Sequence, residues 1–293
     1  MTFYRSTSLE TGVQMAYAEA GDSSKPTLLL LHGFPSSSHQ YRNLIPLLSD
    51  RFHIIAPDLP TFGLTVVPEN FQATFAALTD AVTGLLDALQ ISSFIPYVFD
   101  YGAPVAYRLA LQRPKSFAGL IVQNGNAYEE GLSQWWDPLR KFWKTEKGTE
   151  DWHKIREQLR DAVDLEQAKS QYTSGLSSDL ISQIDPNAYH LDFLLNMSSE
   201  DKVNNQLDLF YDYQHNVALY PEFQKFFRES QLKTLILWGK NDIYFPPTGA
   251  VAYEADLKDT KLRIFDDGSH FLLETHVVQV AEAIKDFLPE TGR

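Results

Sequence analysis

Phe94-Ile95-Pro96-Tyr97-Val98-Phe99-Asp100-Tyr101-Gly102-Ala103-Pro104-Val105-Ala106-Tyr107-Arg108-Leu109-Ala110 is the stretch that decides how the rest of this chain is read. It opens as an unbroken apolar run, the pattern of a strand buried on both faces of a parallel sheet. Gly102 permits a tight turn, and apolar residues then recur at helical spacing until Arg113-Pro114 stops the helix. Asp100 falls at the corner. A carboxylate there meets the free N–H groups and the positive dipole end of the helix, which favour its ionised, nucleophilic form. A lone Asp before Gly is more often a turn residue or a cap, but a buried strand before it and an apolar helix after it favour the nucleophile.

Outward from this corner, strands and helices alternate. Residues 4–8 and 13–18 read as two strands with Thr11-Gly12 as the turn between them, an antiparallel lead-in. Residues 27–31, 52–56, 117–122, 234–238 and 261–265 read as further strands, giving eight with the Asp100 strand. Helical spacing over 40–48, a helix over 71–89 capped by Asn70, and helices near 248–255 and 274–287 lie between or after them. This order requires crossovers, hence a mostly parallel sheet flanked by helices: an α/β fold. From 126 to 230 strand patterns vanish, and four of five tryptophans lie there: Trp135, Trp136, Trp143 and Trp152. The expected organisation is a core of 1–125 and 231–293 with an inserted helical cap, 126–230.

Composition limits the function. With 293 residues and 44% hydrophobic content the chain can bury a large core plus an insertion. Its net charge of -13 disfavours nucleic-acid backbones as partners. Zero cysteines exclude disulfides and thiolate chemistry. The first ten residues lack the pattern of a secretory signal and no apolar run is long enough for a bilayer, so a cytoplasmic location without membrane contact is expected, as a monomer or homodimer.

In parallel sheets, reactive groups sit on loops leaving the carboxyl ends of strands. Four such loops carry His32 to Pro35, Asp100 with Tyr101, Asp242, and His270. Asp242 has rivals in Glu129 and Glu130, but it follows its strand end directly. His32 is expected to brace its loop and Asp58 to bond within its own.

With those residues in place, the chain resembles the α/β-hydrolases of the epoxide hydrolase and haloalkane dehalogenase branch, closely over both core segments and loosely over the cap. Leu31-His32-Gly33-Phe34-Pro35 resembles the H-G-x-P signature, Asp100-Tyr101-Gly102 the nucleophile turn, Leu237 to Asp242 the acid-bearing strand end, and Gly268-Ser269-His270-Phe271 the base-bearing loop. The resemblance implies Asp100 as nucleophile, His270 as base, Asp242 as its acid, and the N–H groups of Phe34 and Tyr101 as an oxyanion hole. Asp100 would form an alkyl ester with a small apolar electrophile, and water primed by His270 would cleave it. This chemistry calls for no metal and no cofactor.

The leaving group is set by the cap. Tyr213-Gln214-His215-Asn216 resembles the Y-R-x-N segment that carries a proton-donating tyrosine in epoxide hydrolases, so Tyr213 is the expected donor, with packing among Phe210, Tyr211 and Tyr220 as its rival role. A partner tyrosine is not evident between Trp135 and Trp143; Tyr128 is the substitute, and Tyr128, Trp135 and Trp136 are the expected pocket residues. Dehalogenases of this branch cradle a halide with a Trp directly after the nucleophile, where this chain has Tyr101. Thr61 and Val98 stand where glycine is usual in relatives. Epoxide hydrolysis is the expected activity. Dehalogenation through the same nucleophile is the alternative, and a ligand-binding relative or an esterase stays open behind both.

Overall fold

The computed structural model describes residues 1–288; residues 289–293, the end of the second expected core segment, lie outside the described residues. Eight strands form one sheet: β1 (Thr2–Ser8), β2 (Gln14–Ala20), β3 (Thr27–Leu31), β4 (His53–Pro57), β5 (Ile95–Phe99), β6 (Leu120–Gln123), β7 (Thr234–Gly239) and β8 (Thr260–Phe265). Their order is β1-β2-β4-β3-β5-β6-β7-β8. The β1–β2 and β2–β4 pairs are antiparallel, and all pairs from β4 through β3 to β8 are parallel.

The unbroken apolar runs are explained by what lies on either face. Leu29 and Leu31 join one core cluster, while Leu28 and Leu30 join the other, so successive side chains of β3 are buried on opposite sides. The first face is covered by helices Phe75–Ala88 and Gly102–Gln112, the second by Ile45–Leu48 and Val277–Phe287. Each such leucine contributes about 2 kcal/mol on burial.

Register then brings the loops together. Leu31 pairs with Val98, Phe99 with Gln123, Gln123 with Leu237, and Gly239 with Phe265, so the segments after β3, β5, β6, β7 and β8 leave the same edge side by side. Gly102 makes the corner possible. A Cβ there would lie 2.0 Å from the Leu31 carbonyl oxygen, so only glycine lets the helix start against β3.

Several local expectations shift. The 71–89 helix starts later, at Phe75, because Thr74 accepts from the Ala77 N–H and Asp212 takes the Phe75 N–H at 2.7 Å; Asn70 does not cap it. Residues 40–48 form a short turn of helix (Ser38–Tyr41) and then Ile45–Leu48, split around Arg42 to Leu44. The last helix is likewise broken, into Leu272–Thr275 and Val277–Phe287, at His276.

Between β6 and β7 the described chain contains helices and no strand, the longest being Pro186–Asn196, Glu200–Asp212 and Tyr220–Ser230. Side chains stitch these inserted helices to the sheet loops. Asn196 Nδ2 donates to the Pro35 carbonyl at 2.6 Å and its Oδ1 accepts the Gly63 N–H at 2.8 Å. Arg108 Nε donates to Asn216 Oδ1 at 2.7 Å. Among the described residues, no helix is long and apolar enough to cross a membrane.

Candidate active site

Asp100 occupies the left-handed region, φ 45, which a non-glycine residue adopts only when its surroundings hold it there. They do so from two sides. The Phe34 N–H donates to Asp100 Oδ1 at 2.6 Å, and the Tyr101 N–H also bonds the carboxylate. Gly33 leaves the room: a Cβ on it would lie 2.2 Å from Asp100 Oδ1. Burial pushes the Asp100 carboxyl up to about 6, opposed by the nearby His270 and by the two N–H groups, and reinforced by the negative charge of Asp242.

His270 Nδ1 lies 2.8 Å from Asp242 Oδ2, and both side chains are almost wholly buried. The same oxygen accepts Asn124 Nδ2 at 2.7 Å, while Oδ1 accepts the N–H groups of Tyr244 and Phe245 at 2.8 and 3.0 Å. With four donors on Asp242, the imidazole presents Nδ1–H to it and keeps Nε2 as the free lone pair. The ring is held by Phe99 at 4.6 Å and Tyr244 at 5.0 Å between centroids. Glu129 and Glu130, the rival acids, are exposed on a short helical turn.

His32 braces its loop, as expected. Its Nε2 accepts the Leu59 N–H at 2.9 Å and its Nδ1 lies 3.1 Å from the Gly33 carbonyl; burial pushes the imidazole down to about 4. Asp58 bonds within its own neighbourhood, to the N–H groups of Ser38 and Leu64, both at 2.8 Å. Thr61 takes φ 73, the conformation for which glycine is the usual residue at that position.

Phe34, Asp100, Tyr101, Trp135, Trp136, Leu139, Gln171, Phe210 and Tyr244 line a narrow cavity, with about 10 Å³ open to the centre of a water molecule. That is room for about one water. No lysine or arginine is among these residues, so a substrate carboxylate would face the Asp100 charge unshielded.

The pocket residues expected from sequence divide. Trp135 and Trp136 line the cavity, but the Trp136 indole N–H is committed to the Tyr244 carbonyl at 3.1 Å. Tyr128 does not line it; its hydroxyl donates to Asp256 Oδ2 at 2.9 Å, beside Arg228. Tyr213 does not line it either. Its ring packs against Trp136, Phe75 and Tyr101, and its hydroxyl lies 3.4 Å from that of Tyr220.

Two features were missed. Gln171, on the Leu165–Thr173 helix, is 3% exposed, lines the cavity, and its carboxamide has no partner among the described residues; its single helical position carries no signal of this. The next residue, Tyr172, stacks on Phe271 at 3.9 Å and donates to Asp192, whose other oxygen accepts Ser36 Oγ at 3.3 Å. Burial pushes Asp192 up to about 8. Thus the inserted helices grip both the segment after Phe34 and the segment after His270.

These observations define a class. Residues 26–277 match the alpha/beta hydrolase fold family, and the chain belongs to it. It is 46% identical over 283 residues to an uncharacterized hydrolase of Saccharomyces cerevisiae, covering 96% of each chain. It is 27% identical to a haloalkane dehalogenase of Mesorhizobium japonicum, covering 94% of this chain and 88% of that one. It is 25% identical to human epoxide hydrolase 4, covering 97% of this chain and 78% of that one. The protein is a hydrolase of this family.

Proposed function

We propose that this hydrolase opens a small, neutral, apolar epoxide to a vicinal diol through a covalent ester on Asp100. The observation that carries the reading is the Phe34 N–H held 2.6 Å from Asp100 Oδ1, at a carboxylate beside the His270–Asp242 pair. In the first step the other Asp100 oxygen attacks a ring carbon, the carbon–oxygen bond breaks, and the electron pair goes to the departing oxygen. The residues then support the second step. His270 Nε2 takes a proton from water, the resulting hydroxide attacks Asp100 Cγ, and the Phe34 and Tyr101 N–H groups hold the carbonyl oxygen as it becomes negative. An oxyanion donor of this kind lowers the barrier by about 3 kcal/mol.

The substrate class follows from the walls. Aromatic and aliphatic side chains dominate the lining and no cation is among them, which favours uncharged substrates. Residues 126–230 act as a lid over a core of 1–125 and 231–293. Resemblance over nearly the whole chain to an epoxide hydrolase and to a haloalkane dehalogenase supports carbon–heteroatom bond opening and leaves the leaving group to the cavity walls.

Dehalogenation by the same nucleophile is the second reading, favoured by one observation: Trp135 lines the cavity and its indole N–H has no acceptor among the described residues, which leaves a donor for a halide. Two measurements separate these. Single turnover in heavy-oxygen water places label in Asp100 before it reaches product; label going straight to product rejects the ester. A panel of epoxides, haloalkanes and aryl esters then names the leaving group, and halide release without diol formation moves the assignment to dehalogenase.

A further inference from the structure

Opening an epoxide leaves an alkoxide, which must collect a proton at the moment the bond breaks. Among the cavity-lining residues the candidate hydroxyls are few. Tyr244 Oη is engaged by Gln167 Nε2 at 3.3 Å and neighbours the hydroxyls of Ser170 and Ser174. Tyr213 lies outside the lining, against Tyr220.

Tyr101 is different. It lines the cavity, it is only 2% exposed, and its hydroxyl bonds no described residue. Nor is that oxygen among the fully buried polar atoms without a partner, so it keeps a small accessible surface on a residue that lines the cavity. The ring is fixed by Phe75 at 4.9 Å, Phe34 at 6.1 Å and Phe62 at 6.4 Å, which leaves the hydroxyl little freedom. A buried phenol without a partner costs about 1–3 kcal/mol, so its position asks for an occupant that accepts a hydrogen bond.

We propose that Tyr101 is the proton donor: its hydroxyl holds the epoxide oxygen while Asp100 attacks and passes its proton to that oxygen as the ring opens. The inference rests on the Asp100 ester. Atoms balance as follows. The new bond joins an Asp100 oxygen to carbon, the ring bond breaks, the departing oxygen gains the Tyr101 proton, and a phenolate remains. When the ester is hydrolysed, one water proton reaches the second diol oxygen through His270 and the other returns to Tyr101. Burial, and then the charge on Asp100, push the Tyr101 phenol up and keep it protonated in the resting site. Attack neutralises Asp100. The phenol therefore becomes a better acid at the stage when the oxygen becomes a strong base, and the transfer runs downhill because a phenol is more acidic than an alcohol.

The test uses the full chain carrying His270→Gln, in which the ester accumulates instead of being hydrolysed, with propylene oxide as probe and intact-mass spectrometry as readout. Adding Tyr101→Phe keeps the ring and both backbone N–H groups. The expected result is an adduct on Asp100 in His270→Gln alone, formed about 10²-fold more slowly when Tyr101→Phe is added. Equal melting temperatures show that the loss is not one of folding. Adduct formation within about twofold of the single variant overturns the proposal, judged against that expected loss. So does a large loss with Tyr213→Phe and none with Tyr101→Phe. If His270→Gln alone gathers no adduct, the Asp100 ester falls and takes the proposal with it, an outcome distinct from the other two.

Discussion

Asn124 and His270 converge on one atom: Asp242 Oδ2 receives Asn124 Nδ2 at 2.7 Å and lies 2.8 Å from His270 Nδ1. Asn124 also accepts the Gly239 N–H at 3.2 Å, tying the ends of β6 and β7 together where Asp242 begins its turn. Its backbone is left-handed, φ 44, which asparagine tolerates better than most residues. Asn124→Gly keeps that backbone and removes both bonds. Turnover is expected to fall about tenfold and stability by about 1–2 kcal/mol, because the imidazole's partner loses one of its anchors. Steady-state kinetics beside urea denaturation measures both; unchanged turnover removes Asn124 from the positioning of His270.

Asp100 carries two pH signatures. The proposed attack needs its ionised form, so the rate of ester formation should rise with pH through about 6 and level off above it. Single-turnover rates between pH 4.5 and 8 check this against the Asp100 value, on the order of the shift expected for a buried carboxyl.

Stability runs the opposite way at this residue. Its folded value, about 6, lies above the ordinary 3.8, so the unfolded chain loses its proton first as pH rises. The stability contributed by the protonated carboxyl is full below that ordinary value and is lost as pH rises through the folded one. Asp100→Asn escapes this loss and tolerates the left-handed backbone. It should melt at the same temperature as wild type in acid and higher at neutral pH, with a gap on the order of 3 kcal/mol. Calorimetry across that window decides it, and a variant that is less stable at neutral pH contradicts the burial cost.

Gly33→Ala is expected to cut turnover on the order of a hundredfold while leaving the sheet intact. The added methyl would meet Asp100 Oδ1 at 2.2 Å and the Tyr101 backbone nitrogen at 2.6 Å. Neither contact survives without moving the Asp100 carboxylate or the Phe34 N–H, and misplacement of about 1 Å costs on the order of a hundredfold. Loss of activity with an unchanged far-ultraviolet dichroism spectrum is the predicted pair of results.

Gln171 offers the site an uncommitted amide from the inserted helices, on the residue before Tyr172. Gln171→Met preserves length and removes the polar end. Binding of a neutral oxygen-bearing substrate should weaken roughly tenfold, as expected for about 1.4 kcal/mol. An unchanged KM shows that the amide takes no part.

The sheet was legible because burial on both faces forces unbroken apolar runs, and residues 27–31 and 94–99 show them plainly. The grouping of Phe34, Asp100, Asp242 and His270 was legible for a related reason: parallel register delivers every strand end to one edge. What escaped is whatever depends on side-chain direction across long separations. Sequence resemblance points to Tyr213 as the proton donor and to Tyr101 only as a backbone N–H; packing alone distinguishes a hydroxyl 3.4 Å from that of Tyr220 from one without a partner among the described residues. Gln171 and Asp192 are single polar positions on helices; the first has no side-chain partner among the described residues, and the second meets Ser36 across 156 positions. Thr74 outcompeted Asn70 as a helix cap because Asp212, over a hundred residues later, fixes where the first turn starts.

The chamber above Asp100 holds roughly one water, yet a three-carbon epoxide is several times larger. On the proposed chemistry, seating such an epoxide beside Asp100 requires the surrounding aromatic side chains to give way, and the ties made by Asn196, Asp192 and Asp212 stiffen the segments that would have to yield.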